Sequence, residues 1–159
     1  MYGILTITER MVLDTVTLHT KVPYNAQIPH KEPLERYTAL ILFTPGGILT
    51  YVGNLYVWIC KRVDIIQEKD FQEFLTAGDI IVVDRDIFDH NPSLPEGVSA
   101  IVFDESWEDL KYTRDDLMRR LMEYEAIKCV PSELSQYPNV VWRVIALLVN
   151  YSYLTRPMK

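Results

Sequence analysis

The sequence predicts an α+β domain in which a mostly antiparallel sheet of about five to seven strands carries two C-terminal helices packed on it. Segments rich in Ile, Val, Thr and aromatic residues fill the first two thirds of the chain, and two longer segments with helical patterns follow. Several of the predicted strands are separated by short turns, which join antiparallel neighbours. With 159 residues, of which 48% are apolar, the chain is long enough for a sizeable core, and residues 1 to 159 are predicted to form a single domain.

The N-terminal part of the chain predicts a hairpin followed by a long loop. Residues 2 to 8 and 12 to 19 are rich in β-forming residues, and the polar pair Glu9-Arg10 between them predicts a turn. Residues 20 to 36 contain three prolines, which break helices and central strands alike. We therefore expect a long loop there, which is a possible contact surface.

The next segments predict an antiparallel meander. Residues 37 to 43 have the composition of a buried strand, and a Pro-Gly-Gly turn closes it. Residues 48 to 52 and 55 to 63 follow, and Gly53-Asn54 between them favours a two-residue hairpin turn.

A short helix and a buried strand are predicted in the middle of the chain. Phe71, Phe74 and Leu75 recur at helical spacing, and Gly78 is the residue type that accepts the left-handed conformation after a helix. The four residues Ile80–Val83 are all β-branched, which predicts a strand covered on both faces.

Two predicted strands end in carboxylates. Asp84 and Asp86 follow the strand just described, and residues 98 to 103 form another predicted strand that leads into Asp104 and Glu105. If the two strands are parallel neighbours, these carboxylates converge at one end of the sheet; if they are antiparallel, they lie at opposite ends. The connection between them contains prolines and lacks a helical pattern, so an ordinary helical crossover is not predicted.

The carboxylates support one enzymatic alternative, a metal-dependent nuclease or other phosphoryl-transfer enzyme. Alternation along an extended chain would place Asp84 and Asp86 on one side, at a spacing suited to a single Mg²⁺ or Mn²⁺ ion. The candidate catalytic residues of this alternative are Asp84, Asp86, Asp89 and His90, and its candidate metal ligands are Asp84, Asp86 and Asp104. The preferred interpretation has no catalytic residue, metal or cofactor, because no complete catalytic signature is present.

The C-terminal third predicts two helices. Thr113 and Asp116 resemble a capping box at the start of the first, and Pro131 ends it. Residues 139 to 154 form a largely apolar helix, which is predicted to be buried in the core. A homo-oligomer formed through residues 139 to 154 is the alternative, because an apolar surface needs cover.

The charge distribution predicts the kind of partner. The net charge is −6, but residues 64 to 125 alone carry seventeen acidic and six basic residues. Such an acidic block repels phosphates, so nonspecific nucleic-acid binding is disfavoured. No apolar run reaches the roughly 20 residues that a bilayer span requires, and no signal-peptide pattern is present, so we expect no membrane association and a soluble, cytoplasmic protein.

These observations predict a small acidic protein-interaction module rather than an enzyme. An acidic surface that also carries aromatic residues suits a viral or phage accessory protein that binds and inhibits a host protein. The predicted partner-binding residues are Asp79, Asp84, Asp86, Asp89, Asp104, Glu105, Glu108 and Asp109.

Overall fold

The computed structural model of the chain describes residues 10–21, 34–57, 62–124, 134 and 136–155. Within these residues the chain forms five strands and five helices. In chain order they are β1 (Arg10–Lys21), β2 (Leu34–Phe43), β3 (Leu49–Val57), α1 (Arg62–Ile66), α2 (Lys69–Phe74), β4 (Ile80–Val83), α3 (Arg85–Asp89), β5 (Ser99–Val102), α4 (Glu108–Met122) and α5 (Pro138–Thr155).

The described strands form one mixed sheet in the order β3-β2-β1-β4-β5. The pairs β1-β2 and β2-β3 are antiparallel, whereas β1-β4 and β4-β5 are parallel. The class is α+β, but the prediction of a mostly antiparallel sheet of about five to seven strands with two C-terminal helices is wrong. Half of the described strand pairings are parallel. Helices α1 and α2 lie in the connection from β3 to β4, and α3 lies in the connection from β4 to β5.

Helices cover both faces of the sheet, so there are two core clusters. The cluster on the face of α4 and α5 consists of Ala39, Ile41, Phe43, Leu49, Val82, Leu117, Leu121, Trp142, Ile145, Ala146 and Val149. The cluster on the face of α1, α2 and α3 consists of Leu40, Leu42, Ile65, Ile66, Phe71, Leu75, Ile81, Val83 and Ile87. Successive residues of β2 and β4 alternate between the clusters, as the pleat of a strand requires. The predicted strand Ile80–Val83 is thereby confirmed, with its last three residues completely buried.

The turn predicted at Glu9-Arg10 does not include Arg10, which is the first residue of β1. β1 then continues to Lys21 and pairs with β2 along its length from Val12. The predictions for residues 2 to 8, for most of the loop at residues 20 to 36 and for residues 58 to 61 lie outside the described residues.

The hairpin turn predicted at Gly53-Asn54 is wrong, because both residues lie inside β3. In the register with β2, these two residues stand opposite the single residue Leu40, which is a β-bulge. A Cβ atom on Gly53 would lie 3.0 Å from the Leu40 carbonyl oxygen, so the close approach of the two backbones favours glycine. Glycine followed by asparagine suits both a bulge and a turn, and only the pairing with β2 distinguishes them.

Helix α2 ends at Phe74 and not at Gly78. The chain is already extended at Leu75, and a separate turn follows in which the Asp79 carboxylate accepts hydrogen bonds from the Thr76 amide, at 2.8 Å, and from the Thr76 hydroxyl, at 3.2 Å. Gly78 does have a positive φ of 98°, but it uses this conformation in the turn that leads into β4.

Helix α4 begins at Glu108, five residues before the predicted cap at Thr113. Thr113 lies within the helical segment, and its hydroxyl oxygen is 3.0 Å from the carbonyl oxygen of Asp109 and 3.0 Å from that of Pro45. It therefore ties α4 to the turn after β2 instead of capping the helix. Glu108 and Asp109 occupy the first turn, where acidic side chains interact favourably with the helix dipole.

The turns before β4 and β5 pack against each other, which gives a testable difference between two glycines. Gly78 donates a backbone hydrogen bond of 2.8 Å to the Gly97 carbonyl, and both residues have positive φ. A Cβ atom on Gly97 would lie 2.8 Å from the Ala77 Cβ atom, whereas one on Gly78 would have no neighbour within 4 Å.

We expect Gly97→Ala to lower the free energy of unfolding by about 2–3 kcal/mol, because backbone strain and a steric clash act together. Gly78→Ala is the matched control, with strain alone, and should cost about 1 kcal/mol. Urea denaturation of both variants measures the difference. Equal losses would show that the close packing of the two turns does not contribute to stability.

The C-terminal helix predicted over residues 139 to 154 is confirmed as α5, but it is not fully buried. Its polar side chains bind the backbone of β3, which is an edge strand of the described sheet. Asn150 bonds both the amide and the carbonyl of Leu49, and the Asn139 side-chain oxygen accepts a 2.8 Å hydrogen bond from the Leu55 amide. Helix α5 therefore satisfies part of an edge that would otherwise be open to further strands.

Candidate functional site

The parallel pairing of β4 and β5 brings two acidic segments to the same end of the sheet. Val83 is paired with Val102, and the amide of Phe103 donates a 2.8 Å hydrogen bond to the Val83 carbonyl. The segment after β4 therefore begins beside the segment after β5. Of the two arrangements that the sequence allowed, the described structure has the one in which the strand-end carboxylates share one end of the sheet.

Seven of the eight predicted partner-binding residues lie in these two segments, and we call them the acidic edge. They are Asp84, Asp86, Asp89, Asp104, Glu105, Glu108 and Asp109. All except the partly buried Asp84 are exposed. The eighth residue, Asp79, precedes β4 and lies at the opposite end of the strand, where its carboxylate holds the Thr76 turn.

The prediction that Asp84 and Asp86 project from one side of an extended strand is wrong. β4 ends at Val83 and α3 begins at Arg85, so the backbone turns helical between the two aspartates. Their separation is therefore not set by strand alternation. His90 closes α3, with its Nδ1 atom 2.6 Å from the Asp86 carbonyl oxygen and 3.9 Å from the Asp86 carboxylate.

No group of three or more His, Cys, Asp or Glu side chains among the described residues is placed to hold a metal ion. The candidate ligands Asp84, Asp86 and Asp104 are therefore not gathered into such a group. The Mg²⁺ or Mn²⁺ alternative remains a prediction from the sequence.

Asp104 carries the clearest electrostatic signature of the acidic edge. The Ser106 amide donates a 2.9 Å hydrogen bond to the Asp104 carboxylate, and this bond, followed by that of the Ser106 side chain, lowers the pKa of Asp104 below its ordinary value. Hydrogen bonds to the ionised form favour that form. Asp104 is therefore a fixed negative charge at neutral pH, and it orders the turn that leads into α4.

The basic residues of α4 neutralise only part of the acidic edge. Lys111 Nζ lies 3.0 Å from the Glu105 carboxylate, and Arg114 lies 4.0 Å from it while stacking over the Phe103 ring. In the part of the chain that the structure describes, the side chains of Asp89, Glu108 and Asp109 form no ion pair. Exposed carboxylates without internal partners remain available to external cations.

Two apolar features accompany these charges, and neither is predicted by the sequence. Phe88 on α3 is 42% exposed between the aspartates of that helix. A cavity of about 540 Å³ opens beside the first turn of α4, and its described lining is Pro45, Val82, Ser106, Trp107, Glu108, Asp109 and Leu110. No local pattern in the sequence locates either feature, and the cavity depends on α4 crossing the turn after β2.

Within the described residues, no helix has both the length and the apolar character needed to cross a bilayer. Comparison of the chain with protein-family models, with curated protein sequences and with solved structures found no match to any of them.

Proposed function

We propose that this chain is a protein-binding module that binds a basic partner through the acidic edge. The observation that carries the proposal is the parallel pairing of β4 with β5, which places seven carboxylates at one end of the sheet. Two segments separated in sequence thereby supply acidic side chains to the same end of the sheet. A patch of one sign attracts a partner of the opposite sign and excludes partners of the same sign.

Charge alone does not make a tight interface. A single exposed ion pair contributes about 0–1 kcal/mol, so the partner also needs an apolar anchor. Phe88 and the cavity beside Trp107 supply apolar surface next to the carboxylates. The partner that fits best is a protein segment in which Lys or Arg residues flank an aliphatic or aromatic side chain.

The same charge argument disfavours nucleic acid as the ligand. Phosphate groups would meet Asp89, Glu108 and Asp109 without an intervening cation, and contacts to phosphate dominate the affinity of most nucleic-acid-binding proteins. We therefore restrict the proposal to protein partners.

The test uses peptides selected from a random display library on the full-length chain, followed by calorimetric measurement of their affinities. We expect the selected peptides to be basic with an apolar residue at a fixed position. The double variant Asp86→Lys with Glu108→Lys should weaken their binding by tenfold or more, about 1.4 kcal/mol.

The matched control reverses two exposed acidic residues away from the acidic edge, Glu73→Lys with Glu96→Lys. It changes the net charge equally and should leave the affinities within about twofold. Equal weakening by both double variants would mean that net charge and not the acidic edge attracts the peptides. Selection of peptides without basic residues would also contradict the proposal.

A further inference from the structure

The outward face of α5 carries an apolar stripe, defined by six exposed side chains. They are Val140, Val144, Leu147, Leu148, Tyr151 and Leu154, and their exposed fractions range from 43% to 74%. Single exposed apolar residues are ordinary on protein surfaces, but a contiguous group on one helix marks an interaction surface.

The spacing of the stripe is helical. Starting from Val140, successive members lie four, three, four and three residues further along the chain, with Leu148 beside them, so they share one face of α5. The opposite face is buried against the sheet through Trp142, Ile145, Ala146 and Val149. Helix α5 is thus apolar on two opposite sides, and the described residues bury only one of them.

No charged residue interrupts the stripe. Arg143 is the only charged residue in α5, and its guanidinium bonds the Asn54 side-chain oxygen at 2.7 Å. This bond directs Arg143 towards the bulge of β3, on the flank of the stripe.

We propose that the apolar stripe is the interface with a second copy of this chain, in which two α5 helices pack antiparallel about a two-fold axis at Leu147. The two ends of the stripe are equidistant from that residue, since Val140 and Leu154 each lie seven residues from it. A two-fold axis therefore brings Val140 of one copy opposite Leu154 of the other. Val144 and Tyr151 lie three and four residues from Leu147, so they come within one residue of the same level, and small side chains face large ones.

The size of the stripe suits this pairing. The exposed fractions of the six side chains correspond to about 600 Å² in each copy, so pairing buries at most about 1,200 Å² in total, which is the lower limit for a specific stable interface. An uncharged stripe also gives no like-charge repulsion when a copy meets itself. It lacks the Lys and Arg residues that an amphipathic helix uses to bind anionic membranes, and it offers no charge for the basic partner of the acidic edge.

The test measures the mass of the full-length chain in solution by light scattering and sedimentation over a range of concentrations. We expect a concentration-dependent species of twice the 18.6 kDa chain mass. Leu147→Glu should weaken self-association by 100-fold or more, because the two-fold axis places the two glutamates together. Tyr112→Glu is the matched control on α4, where Tyr112 is 75% exposed, and should associate like the wild type.

A charge-rescue experiment tests the position of the axis. An equimolar mixture of Leu147→Glu and Leu147→Lys chains should recover most of the association that each variant loses alone. Circular dichroism checks that the variants are folded; if Leu147→Glu unfolds, Leu154→Glu mixed with Val140→Lys replaces the pair, since those positions also face each other. A wild-type chain that is monomeric at all concentrations would overturn the proposal. So would an undiminished dimer of Leu147→Glu, or a wild-type monomer that floats with neutral lipid vesicles through Leu147.

Discussion

Replacing Trp142 by alanine is expected to lower the free energy of unfolding by about 3–5 kcal/mol. Trp142 is completely buried in the core between the sheet and helices α4 and α5. Its indole Nε1 also donates a 3.0 Å hydrogen bond to the carbonyl of Gly53, at the bulge of β3. The alanine variant therefore leaves both a large cavity and a buried carbonyl without its donor.

Urea denaturation monitored by far-ultraviolet circular dichroism gives this loss. Tyr112→Ala is the matched aromatic control, because Tyr112 is 75% exposed, and it should cost less than about 1 kcal/mol. Trp142→Phe keeps most of the volume but removes the donor, so its stability should lie between the wild type and the alanine variant. A loss from Trp142→Ala no larger than that from Tyr112→Ala would contradict the packing of α5 on β3.

Asn150→Leu is expected to lower the free energy of unfolding by about 3–4 kcal/mol, although leucine has the same branched arrangement of side-chain heavy atoms. The Asn150 side chain accepts a 3.0 Å hydrogen bond from the Leu49 amide and donates a 2.9 Å hydrogen bond to the Leu49 carbonyl. Leu49 is only 5% exposed, so water cannot readily replace either bond. The substitution leaves two partly buried backbone groups without partners.

Asn139→Leu provides the matched control, because within the described residues the Asn139 side chain accepts one hydrogen bond, from the Leu55 amide, at an exposed site. Water can replace that bond, so the control should cost about 1 kcal/mol or less. Hydrogen exchange at the Leu49 amide should accelerate in Asn150→Leu and stay slow in Asn139→Leu. Equal stability of the two variants would mean that α5 does not hold the edge of β3 through Asn150.

The parts of the fold that the sequence predicted correctly are those with a strong local pattern. Four consecutive β-branched residues specify β4, and the long apolar segment after Pro138 specifies α5. The parallel pairing of β4 with β1 and β5 has no comparable local signal, because it is decided by contacts between segments distant in sequence. Helices α1 and α3 each have five residues, which is too short for a helical period to be visible.

The candidate site, too, was predictable only in part. Its acidic residues were predictable from the charge of the middle of the chain, but their position at one end of the sheet required the strand directions. Asp79 carries the same charge but lies outside the acidic edge, because it precedes β4 instead of following it. The exposure of Phe88 and the cavity beside Trp107 depend on how α3 and α4 pack, which composition does not determine.

The acidic edge exists only if β4 and β5 run parallel, and nuclear Overhauser effects between the backbones of the two strands test this most directly. The parallel register predicts contacts between Ile81 and Ala100 and between Val82 and Ile101. Contacts between Ile80 and Val102 would instead indicate antiparallel strands. Asp84 and Asp104 would then lie at opposite ends of the sheet, and the proposed binding surface would not form.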